Sequence, residues 1–70
     1  MRDVPISTDS IRLGQLLKLA GVIDSGAKVK ALLGRETVSV NGERETRRGR
    51  RLVAGDEVHV GEEHLRVARA

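Results

Sequence analysis

The apolar residues of this chain keep a helical period as far as residue 34 and a strand period from residue 38. Leu13, Leu16, Leu17 and Ala20 fall at i, i+3, i+4 and i+7, the spacing that lines one face of an α-helix. Asp9 or Ser10 stands where an N-cap is wanted, and Gly21 where a left-handed C′ residue ends a helix. Val29, Leu32 and Leu33 repeat the helical spacing, with Asp24 or Ser25 as cap and Gly34 as stop. Because only Val22, Ile23 and Asp24 separate the two, they are predicted to form a hairpin that shares its apolar stripes. Val38 and Val40 then run into Asn41-Gly42, a dipeptide suited to a type I′ turn because both central residues take positive φ. Leu52-Val53-Ala54 lead to a turn at Gly55-Asp56. Val58 and Val60 alternate with His59, Gly61-Glu62-Glu63 turns the chain again, and Leu65 and Val67 alternate with His64, Arg66 and Ala68.

The first ten residues are rich in turn and cap formers, although Val4 and Ile6 alternate as in a short edge strand. The expectation is a partly ordered arm over 1–10 and one domain over 11–70. The fold class that follows is α+β: a two-helix hairpin on a small bent antiparallel sheet of three to five short strands, which the valines and leucines close against the helices. Seventy residues lie near the lower limit for a core that holds without staples, and the chain has no cysteine to supply one. No apolar run approaches the roughly 20 residues needed to cross a bilayer, and MRDVPISTDS lacks a signal peptide's apolar core. A cytoplasmic location without a membrane partner is expected.

Charge sharpens the picture through its placement. Residues 1–51 carry a net +5 and residues 52–70 a net −2, so the positive field belongs to one part of the molecule. Arg44, Arg47, Arg48, Arg50 and Arg51, five of the thirteen basic residues, fall within eight positions on the strand that returns from Asn41-Gly42. On the second helix Lys28 and Arg35 flank the apolar stripe on one side and Lys30 on the other, while Lys18 leaves the first helix away from its core face. A solvated surface would account for part of this, but the density suggests a polyanionic partner.

Other chemistry finds little support. His59 and His64 have no orienting carboxylate that the sequence can place, and two ligands without a third rarely hold a metal. No cofactor or metal is expected. Asp56, Glu57, Glu62 and Glu63 cluster near turns, where they end strands, and no glycine run leads into a phosphate-loop lysine. An enzyme is not expected. The absence of Phe, Tyr and Trp removes the rings on which single-strand binders stack bases, leaving backbone and shape recognition through Arg and Lys. Arginine outnumbers lysine ten to three, and its planar fork suits phosphate.

An ordered set of motifs then becomes visible: RLGQLLKLAG from Arg12 to Gly21, the serine Ser25 at the second helix, VSVNG ending at Gly42, and AGDEV from Ala54 to Val58. This set resembles the alpha-L RNA-binding motif, the domain named after ribosomal small-subunit protein S-four. Leu16–Leu19, Ser25–Ala27 and Glu45–Arg51 are most similar to the small stand-alone bacterial members. The resemblance implies a non-enzymatic RNA-binding module, and by position it assigns RNA contacts to Ser25, Gly26, Lys28 and Lys30 and to Arg47, Arg48, Arg50 and Arg51; Lys18, Arg35 and Arg44 are secondary candidates on their charge and placement. The chain departs from the family where Gly26 replaces a frequent arginine and where Glu36 stands for the usual glycine, with Gly34 two residues earlier.

Two functions follow as expectations. The first is recognition of structured RNA, ribosomal or transfer RNA among the candidates, by a monomer without a small-molecule substrate, free or on the ribosome. The second is a basic adaptor that docks an acidic protein partner, for example on the ribosome.

Overall fold

The computed structural model describes residues 1–23, 32–34 and 38–70. The expected cap of the second helix at Asp24 or Ser25, and Glu36 at its exit, lie outside the described residues. Of that helix, residues 32–34 are described and are helical.

Strand β1 (Arg2–Ile6) is followed by the short β2 (Ile11–Arg12), helix α1 (Leu13–Leu19), β3 (Val38–Val40), β4 (Glu43–Arg44), β5 (Arg51–Leu52), β6 (Glu57–Val60) and β7 (Glu63–Arg69). Five strands form a mixed sheet in the order β1-β7-β6-β3-β4, and β2 pairs with β5 as a separate antiparallel ribbon. The fold is therefore α+β as expected, but the sheet is not purely antiparallel. β1 runs parallel to β7, with Val4 opposite Val67 and Asp3 opposite Arg66.

The segment expected as an arm thus contributes a core strand. Val4 and Ile6 are buried, Ala70 N–H donates to the Ile6 carbonyl at 2.9 Å, and the Arg66 guanidinium makes a two-pronged pair with Asp3 at 2.9 and 3.1 Å. Local pattern under-reported β1 because its partner lies some sixty residues away in the chain, and Pro5 is tolerated because β1 is an edge strand.

The core is entirely aliphatic among the described residues. Leu13, Leu16 and Leu17 of α1 and its C-cap Ala20 meet Leu33, Leu52 and the inward residues of the sheet: Val38, Val40, Val58, Val60, Leu65 and Val67. The helical and two-residue periods read from the sequence place each of these inside except Leu52, which the sequence pattern marks only as leading into a turn. α1 ends as its glycine predicts. Gly21 takes φ +76°, its N–H reaches the Lys18 carbonyl at 3.0 Å, and the Val22 N–H reaches Leu17 at 3.0 Å, a Schellman motif.

Its beginning differs from expectation. Neither Asp9 nor Ser10 caps it. The N-cap is Arg12, already committed to the ribbon with β5, where it lies opposite Arg51. Arg12 N–H donates to Gln15 Oε1 at 3.2 Å, the half of a capping box that a glutamine at N3 supplies; a guanidinium has no acceptor for the other half. The free N–H groups of the first turn are taken instead by the arginine loop: Leu13 donates to the Arg50 carbonyl at 2.8 Å and Gly14 to the Arg48 carbonyl at 2.9 Å.

Candidate nucleic-acid interface

The arginine-rich stretch leaves β4 and reaches β5 as a tight loop organised from within by one carboxylate. Glu45 is the only buried charged residue among those described, 6% exposed. Its Oε2 accepts from the Thr46 and Arg47 backbone N–H groups, both at 3.0 Å, and from Arg47 Nε at 3.1 Å. Its Oε1 accepts from Arg47 Nη2 at 3.1 Å and Arg50 Nη1 at 3.2 Å. These donors, the Arg47 side chain foremost, hold the carboxyl well below the ordinary carboxylate range, down to about 2, against the opposing effect of burial. The main chain closes the loop: Arg50 N–H donates to the Arg47 carbonyl at 3.3 Å, and Arg12 Nη1 donates to the Gly49 carbonyl at 2.8 Å.

The five arginines therefore divide by role. Arg47 and Arg50 neutralise Glu45 and fix the loop, although the Arg47 side chain remains 75% exposed against 30% for Arg50. Arg44, Arg48 and Arg51 are exposed and enter no ion pair among the described residues. Arg44 and Arg48 stand with Thr46, Leu33 and Gly34 around a concavity of about 320 Å³. Arg51 lies across the β2–β5 ribbon from Arg12, a juxtaposition of like charges that is unfavourable unless solvent or an anion screens it. Two positive foci thus flank one loop. Among the remaining predicted residues, Lys18 is exposed near the end of α1, four residues or roughly 6 Å along the axis from Gly14. Ser25, Gly26, Lys28, Lys30 and Arg35 lie outside the described residues.

Sequence reasoning did not select Glu45 as an organiser, Arg12 as a partner of the loop, or Leu33, Gly34 and Thr46 as a cavity lining. The Glu45-Thr46-Arg47 step carried a signal for the first, since an acid flanked by arginines invites pairing. Arg12 and the cavity carried none, because their neighbours come from distant parts of the chain.

The histidines sit elsewhere. His59 and His64 are cross-strand neighbours on the outer face of the sheet, their rings edge to face with centroids 3.7 Å apart, and His64 Nε2 lies 3.0 Å from Glu57 Oε1. Among the described residues no group of three or more His, Cys, Asp or Glu side chains is placed to hold a metal ion, and no helix is long and apolar enough to cross a membrane.

A small α+β domain with a carboxylate-pinned arginine loop against its first helix is the class that fold and site define. The family model described as S4 domain matches residues 4–68, and the chain belongs to that family. A curated relative from Bacillus subtilis (strain 168), the probable ribosome maturation protein RlbA, is 49% identical over 57 residues, which cover 81% of this chain and 80% of that protein.

Proposed function

We propose that this protein binds structured RNA, with ribosomal RNA foremost, through phosphate and shape contacts made by Arg48, Arg51 and Arg12, continued by Lys28 and Lys30. The observation that carries the reading is the Glu45 pin. By holding the loop backbone with Arg47 and Arg50, it lets the remaining arginines face outward at fixed spacing, so less ordering entropy is lost when a phosphate backbone arrives. The S4 family membership and the ribosome-maturation role in the name of the Bacillus relative support an RNA partner within ribosome assembly. The protein acts in the cytoplasm, as a monomer, by binding alone.

The test is affinity for a structured RNA hairpin and a matched DNA duplex across a salt series. About four phosphate contacts give a slope of log K against log salt of roughly −3 to −4. Arg48→Ala and Arg51→Ala are each expected to weaken hairpin binding several-fold and to reduce the slope by about 1. An unchanged slope in both variants removes the loop from the mechanism. A protein partner that survives nuclease treatment and competes with RNA would favour the adaptor function instead.

A further inference from the structure

Phosphate contacts do not account for the concavity beside the loop. Among the described residues its lining combines Leu33, which is 4% exposed, and Gly34 with the polar residues Arg44, Thr46 and Arg48. At about 320 Å³ it sits at the small end of the roughly 300 to 1,000 Å³ range of ligand-sized clefts, too small for a duplex and suited to one planar group with its phosphate. Among the described residues no lining side chain is acidic, and the one carboxylate of the loop, Glu45, is turned inward and occupied. Every polar side chain of the lining can therefore donate to an anionic ligand.

We infer that this concavity, framed by Leu33, Gly34, Arg44, Thr46 and Arg48, receives a single unpaired nucleotide extruded from the bound RNA. The inference rests on the RNA-binding reading and makes it more specific: the substrate is a helix interrupted by a bulged or looped-out base. A splayed base needs a flat surface to stack on. Aromatic rings ordinarily supply it, but guanidinium planes serve the same purpose, and this chain has arginines and no aromatic residue. Leu33 closes the inner side of the base from water, the arginines cover its face or pair with its phosphate, and Thr46 is within the lining to bond an edge.

Gly34 provides the means of testing this. A Cβ built there meets nothing within 4 Å, and its φ lies outside the left-handed region, so a larger side chain is accommodated at this edge of the concavity without backbone strain. The experiment compares three RNA hairpins of identical stem: fully paired, carrying one bulged nucleotide, and carrying an abasic residue at the bulge. The abasic bulge keeps the backbone distortion and the phosphate while removing the base. Wild-type protein is expected to prefer the bulged to the abasic hairpin by about tenfold, the scale of one base stack, and Gly34→Leu, its fold checked by circular dichroism, is expected to bring that ratio to about one. Equal wild-type affinity for bulged and abasic hairpins overturns the inference while leaving phosphate-mediated binding intact, and this comparison needs no variant. Persistence of the preference in folded Gly34→Leu overturns it as well. Failure to bind any of the three RNAs overturns the RNA-binding reading and this inference together.

Discussion

Glu45 shows how one side chain sets the meaning of its neighbours. A run of arginines reads in sequence as a uniform cationic surface, yet two of them are spent on a buried carboxylate. Truncating Arg50 therefore perturbs the loop as well as its charge, and Arg48 and Arg51 are the cleaner probes of binding. Because the folded-state pKa of Glu45 is depressed from its ordinary value near 4.5 to about 2, its contribution to stability is fully present above the unfolded value. It is lost as pH falls from about 4.5 toward 2. Urea midpoints measured at pH 6, 4 and 3 (chosen to span this window) are expected to fall with acidification, and to fall less in Glu45→Gln. Glu45→Ala at neutral pH is expected to cost about 1.5 to 3 kcal/mol, the range for hydrogen bonds to a charged group, with the lower end favoured by the exposure of Arg47. A pH response equal to that of wild type in Glu45→Gln would place the acid sensitivity elsewhere.

At the scale of elements, ends and turns are completed by contacts from other parts of the chain. α1 has seven residues, too few to persist alone, and its first turn is satisfied by carbonyls of the arginine loop rather than by its own flanking residues. Helix and loop thus stabilise each other. The β3–β4 turn is bound in the same manner. Asn41 and Gly42 take φ +52° and +86°, the pair of positive values anticipated from Asn-Gly. The Asn41 side chain then reaches beyond its hairpin, donating to Asp56 Oδ1 at 3.0 Å and accepting from the Glu57 N–H at 2.9 Å. Asp56 Oδ2 in turn accepts from Val53 N–H at 2.8 Å. Asn41→Ala loses both hydrogen bonds and incurs the left-handed penalty, and is expected to destabilise by about 2 to 3 kcal/mol. Asn41→Gly relieves the backbone penalty and is expected to cost about 1 kcal/mol less. Equal losses in chemical denaturation would assign the effect to the hydrogen bonds alone.

For the molecule as a whole, the deciding contact is between its two ends. β1 docks on β7, buries Val4 and Ile6, and makes residues 2–6 part of the fold. Ile6→Ala is expected to destabilise by about 2 to 5 kcal/mol, the cost of truncating a buried aliphatic. That is a large share of the roughly 5 to 15 kcal/mol that holds a typical domain. A urea midpoint unchanged in this variant would mean that β1 is peripheral after all. Charge is also segregated at this scale. The basic loop lies against the N-terminal end of α1, and the outer face of the sheet carries the balanced pair of Asp3 with Arg66, with Glu57 within hydrogen-bond distance of His64.

Local chemistry in the sequence determined the period of each element, the inward residues of α1 and of the strands, the Gly21 stop, the Asn-Gly turn and the arginine cluster. Each depends on neighbours within a few positions, where side-chain spacing and φ preference act directly. Tertiary structure decided what required partners far along the chain. It placed β1 beside β7, replaced a side-chain cap on α1 with loop carbonyls, separated the arginines that hold Glu45 from those that face solvent, and brought Leu33 and Gly34 against Arg44 and Arg48. Burial, pairing across strands and the enclosure of a cavity are properties of elements brought together, and no periodicity along a single segment records them.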